Sequence, residues 1–130
     1  MISEALTKYA LHTVAGCNMT TKRSKSLRQK LRQMAGIAYE RELATASEAL
    51  REQFLRWKNK EIDVFELNDR IHEFHHGISR ELYNRYTGNE MADSICVASA
   101  LHRGILSREE IGEDAFLSVE DITMALSSHD

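Results

Sequence analysis

The sequence contains no proline, only two cysteines and only six glycines in 130 residues. Proline punctuates loops and stops helices, so its absence permits long uninterrupted helices and removes one sign of a loop-rich fold. The two cysteines, Cys17 and Cys96, fit no CxxC or zinc-finger spacing. A disulfide between them is conceivable, but nothing else argues for an oxidising compartment, and free thiols are expected. No stretch approaches the roughly 20 apolar residues of a membrane span. No internal repeat, low-complexity tract or alternating strand pattern occurs. GxSxG and phosphate-cradling glycine loops are also absent, and neither cysteine has a base partner in sequence.

What is present is helix-forming: hydrophobic residues make up 42% and charged residues 28%, with a formal charge of −3. That balance suits one globular domain over residues 1–130. A cytoplasmic location is expected. Val14-Ala15-Gly16-Cys17 resembles a bacterial lipoprotein cleavage site. The preceding stretch departs from that pattern, since Glu4, Lys8 and His12 interrupt it and no basic start leads into a continuous apolar run.

The expected fold is an all-α bundle built on a long antiparallel hairpin, about 26–59 and 64–86, with shorter helices at both ends. A first helix is expected from Ser3 to about Ala15. The tract from Ser26 to Asn59 carries two apolar stripes: Leu27, Leu31, Met34 and Ala38, then Tyr39, Leu43, Ala46, Leu50, Phe54 and Trp57. At 100° per residue the stripes lie on the order of 100° apart around the helix. Either the helix breaks near Gly36 or two neighbours share it.

Asn59 to Asp63 reads as a tight turn, and Asp63 with Glu66 has capping-box spacing, so the second arm should start at Val64. The second arm should run unbroken to Tyr86, with a turn at Thr87-Gly88-Asn89. A helix from about Glu90 to Arg103 follows, ended by Gly104. Ser107 with Glu110, and Ser118 with Asp121, should open two more.

The second arm carries the chemistry. Leu67, Ile71, Phe74, Ile78 and Leu82 form a core stripe, while Phe65, His72, His76, Ser79 and Tyr83 fall on nearly the opposite side. A helix with two such faces should be covered on both, the second by another helix or a partner subunit. Phe65, His72, His76 and Tyr83 are therefore candidate interface residues, for self-association or a protein partner.

His72-Glu73-Phe74-His75-His76 also matches HExxH, the pattern of zinc-dependent metallopeptidases. There the two histidines share a metal and the glutamate takes a proton from metal-bound water. Asn89-Glu90-Met91-Ala92-Asp93-Ser94 resembles the Asn-Glu-x-x-Ser-Asp stretch of thermolysin-like enzymes, with its last two residues swapped. That resemblance covers about a dozen residues and would make Glu90 the third ligand. Helix geometry favours His102 instead. His76 lies some 15 Å before the end of its helix at 1.5 Å per residue, level with residues near Ala100 to His102 of an antiparallel neighbour. The candidate zinc set is thus His72, His76 and His102, with Glu73 as base. Strand edge, Gly-rich continuation and cleft-building chain are all missing, which favours a binding protein over an enzyme.

Charge is lopsided. Residues 1–39 hold seven bases and a single acid, Glu4. Six of those bases, Lys22, Arg23, Lys25, Arg28, Lys30 and Arg32, form one short run. Residues 104–130 hold seven acids and a single base, Arg108. The plainest account is solvated helix faces with acids at helix N-termini. Contact between the two ends is a second, and nucleic-acid binding by the basic run a third.

Overall fold

A computed structural model describes residues 21–87 and 92–128, and among these every regular element is helical. The expected helix over Ser3–Ala15 lies outside the described residues. The all-α hairpin architecture is present. Its first arm, α1, is a single helix over Thr21–Lys58, about 57 Å long at 1.5 Å per residue.

There is no break at Gly36; two sets of neighbours share the helix. Leu31, Met34, Ala35 and Ala38 are buried in the main core with α4 (Asp93–His102) and α6 (Glu113–Ser127). The later part of α1 runs beside the second arm. The change of apolar stripe along α1 is therefore a change of partner.

The turn between the arms places Lys60 at φ 62° and buries Ile62. Asp63 caps α2 (Val64–Phe74), accepting the Glu66 backbone N–H at 2.8 Å. The expected continuous helix to Tyr86 does not hold. A π-helical turn over His75–Ser79 intervenes before α3 (Arg80–Thr87), and Gly77 leaves helical geometry at φ −96°, ψ −108°.

One extra residue in the ladder sets back every later side chain by about 100°. The core stripe shifts accordingly. Leu67 and Leu82 are buried and Ile71 and Phe74 half-buried, but Ile78 is exposed and Ser79, from the other face, is half-buried.

Helix α4 ends at Gly104 (φ 77°), where the Ile105 N–H returns to the Ala100 carbonyl at 2.8 Å, the wrapped ending that glycine favours. Ser107 and Glu110 form the expected reciprocal capping box on the short α5 (Arg108–Ile111). The last helix starts at Glu113, not near Ser118. Gly112, at φ 87°, separates it from α5 by a single residue. Ser118 sits inside α6, and its hydroxyl donates to the Ala115 carbonyl at 2.7 Å. A Ser-x-x-Asp pattern fits a helix interior as well as a start, because the hydroxyl can bond back along the helix.

The main core lies between the first half of α1, α4 and α6. Its contacts are largely small, with Ala38, Val97, Ala98, Ala100 and Val119 wholly buried, which lets the helices approach closely. None of these positions belongs to the far half of the hairpin.

Candidate functional site

Four side chains share the outer side of the second arm in the sequence: Phe65, His72, His76 and Tyr83. In the structure all four are exposed, Phe65 at 78%. The expected second cover is not supplied by the described residues of the same chain. Tyr83 lies beyond the π turn and is set back by about 100° from the other three. Phe54, Leu55 and Trp57 on α1 and Val64 on α2, which flank the turn between the arms, are also substantially exposed, as are Ile78 in the π turn and Leu117 and Met124 on α6.

The rings of His72 and His76 stack with planes 7° apart and centroids 6.1 Å apart, and His75 meets His76 edge-on at 5.2 Å. The helical i, i+4 spacing accounts for this pairing. His102 does not join them. It ends α4, and its Nδ1 lies 3.3 Å from the Ser127 hydroxyl. Among the described residues no three His, Cys, Asp or Glu side chains are placed to hold one metal ion. Glu73 pairs with Arg70 at 3.3 Å. Glu90 lies outside the described residues.

Cys96 is a free, buried thiol that donates to the Arg85 carbonyl at 3.4 Å. Burial, and then the Asp93 carboxylate, push the thiol up to about 11.

The basic run begins α1. Lys25, Arg28 and Arg32 are exposed and Lys30 is half-buried; the side chains of Lys22 and Arg23 lie outside the described set. Arg32 faces Asp93 at 3.7 Å. Lys30 shares an open groove of about 810 Å³ with Glu113 and Asp114 at the start of α6. The start of α1 and the start of α6 thus line one groove, while Asp93, which faces Arg32, lies outside the acidic tract 104–130.

The best-built polar cluster had no motif to announce it. Glu42, whose side chain is 12% exposed, receives hydrogen bonds from Arg103, from the Tyr86 hydroxyl and from Arg85. A second guanidinium nitrogen of Arg103 reaches its other oxygen at 3.2 Å. Tyr86 stacks on Tyr39 at 5.1 Å. Burial opposes the charge on Glu42, but the bonds from Arg103 and Tyr86 and the two guanidinium charges outweigh it, and the carboxyl lies below its ordinary range. Burial and the neighbouring carboxylate push Tyr86 up to about 12.

This cluster ties both arms to α4. At the residue before Glu42, Arg41 clamps Glu110 with bonds of 2.9 and 2.6 Å and also donates to the Ile105 carbonyl at 2.8 Å. The Arg41 bond, with the Ser107 backbone N–H, holds Glu110 down at about 2. Both sets join secondary elements and are saturated by their own partners.

Comparison with protein-family models, curated proteins and solved structures returned no match. Function has to be argued from the surface.

Among the described residues no helix is long and apolar enough to cross a membrane.

Proposed function

We propose that this protein acts by binding, through self-association along the outer side of its hairpin and, in that state, engagement of a protein partner. The observation that carries this reading is the exposure of Phe65 at 78%, with Phe54, Leu55, Trp57 and Val64 also exposed on the segments that flank the turn between the arms. A two-helix hairpin has a neighbour on one side only, so side chains of its outer faces remain in water. A second hairpin supplies the missing wall and makes a four-helix arrangement. Clusters of large exposed apolar side chains mark such interfaces, whereas scattered single ones do not.

Burying one phenylalanine is worth about 1.5–3 kcal/mol. A twofold interface uses each side chain twice, so Phe65→Asp should weaken the dimer by about 100-fold or more. Sedimentation equilibrium of the full chain checks this. A wild-type chain that is monomeric at high concentration defeats the self-association reading.

A further inference from the structure

Three imidazoles crowd the outer surface of the second arm, and the fold gives no internal reason for them. His72, His75 and His76 are all exposed. They pack on no core, and the stacked pair His72–His76 lies within a turn of the one place where this arm leaves α-helical geometry. Single π turns within helices recur at functional sites. Histidines four residues apart on a helix stand one above the other, the spacing from which two imidazoles can turn a nitrogen each toward one ion.

The donor set is half complete. Closed zinc sites take four ligands in a tetrahedron, with nitrogen at about 2.0–2.1 Å. The chain offers two, and among its described residues nothing makes a third. Phe65 lies on the same side of the same helix as His72, about 10 Å away along the axis. An interface centred on this side would therefore include the histidines. A twofold dimer presents each patch to its own copy, and two ligands doubled are four.

We propose that His72 and His76 form half of a transition-metal site of the zinc class, completed by the same two histidines of a second copy of this chain. The proposal rests on the self-association reading above and names what would lock that association. The two rings stand nearly parallel, so sharing one ion requires both to rotate until a nitrogen of each points at it, a change of rotamer open to exposed side chains. A site with four protein ligands keeps no open position for a reacting water, so its role is structural. Glu73, paired with Arg70, is not needed.

The test uses full-length protein without an affinity tag and zinc chloride as the probe. Sedimentation equilibrium is run with zinc and with chelator, and isothermal calorimetry gives the stoichiometry. The proposal expects one zinc per two chains and at least a tenfold tightening of the dimer, reversed by chelator. His72→Ala and His76→Ala should each abolish the zinc effect, so that either variant associates equally with zinc and with chelator. Cobalt(II) in place of zinc should show the visible absorption of a four-coordinate ion, a readout independent of association.

A dimer indifferent to zinc overturns the metal site and leaves the interface standing. One zinc per chain with no change in association overturns the bridge. A chain monomeric under both conditions overturns the bridge and the interface together.

Discussion

Replacing Glu42 should be among the most damaging changes available at a polar position. Its carboxylate is 12% exposed and accepts bonds from Arg103, Arg85 and Tyr86. Glu42→Ala would leave two guanidinium groups and a hydroxyl facing a gap. Removing one partner of a buried ion pair costs about 3–5 kcal/mol. The Arg85 and Arg103 side chains keep 30% and 33% of their exposure, so water recovers part of that loss, and about 2–3 kcal/mol is expected. At about 3–5 °C per kcal/mol for a chain of this length, the melting temperature should fall by about 10 °C.

Glu42→Gln keeps the shape and isolates the charge. The folded carboxyl lies below its unfolded value. The charge therefore contributes in full above the unfolded value and is lost as pH falls through the folded one. The gap in stability between wild type and Glu42→Gln should be widest near neutrality and close in acid. Thermal melts followed by circular dichroism between neutral pH and pH 3 read this directly. A Glu42→Ala chain melting within a degree or two of wild type, or a Glu42→Gln gap that does not shrink in acid, would refute the reasoning.

Ser107→Ala removes the capping box of α5 and should cost about 1 kcal/mol in denaturant unfolding, with an unchanged m-value. In a Cys17→Ser background, Cys96 should resist Ellman's reagent at pH 8 until denaturant is added, since it is buried and its thiol is pushed up to about 11; rapid reaction in the folded protein would contradict its burial. Hydrogen exchange of metal-free protein should be slowest in α4 and the first half of α1 and faster in residues 50–70, where the main core does not reach. Uniform protection along α1 would show that the arm is as well supported as the core.

The hairpin was legible because its signals are redundant. Apolar periodicity, the Asp63–Glu66 cap and the lack of proline all agree, and the change of stripe along α1 was visible, with two neighbours sharing the helix as one of its two explanations. The π turn was not legible. It needs one surplus residue in the hydrogen-bond ladder, and a straight 100° count cannot register it; the half-burial of Ser79 in place of Ile78 is its trace.

Ser118 misled because a three-residue spacing recurs inside helices. Glu42 was missed for a different reason. It lies where α1 passes from one apolar stripe to the other, and a charged residue there reads as solvent-facing. Its partners are 43 to 61 residues away, and no local pattern encodes such distances. Of the candidate sites, the pairing of His72 with His76 followed from helix geometry. The placing of His102 depended on how two helices are set against each other.

Because α1 is one unbroken helix, it acts as a spacer as well as a wall. The main core grips it up to Ala38, and the remaining stretch to Lys58 projects about 30 Å further at 1.5 Å per residue. No linker interrupts that stretch, so whatever seats against Phe65 is held at a set offset and bearing from the C-terminal helices. Lengthening the helix by whole turns in matched positions of both arms would change the offset and keep the bearing. Adding a single residue would do the reverse, swinging the tip around the axis while scarcely moving it outward.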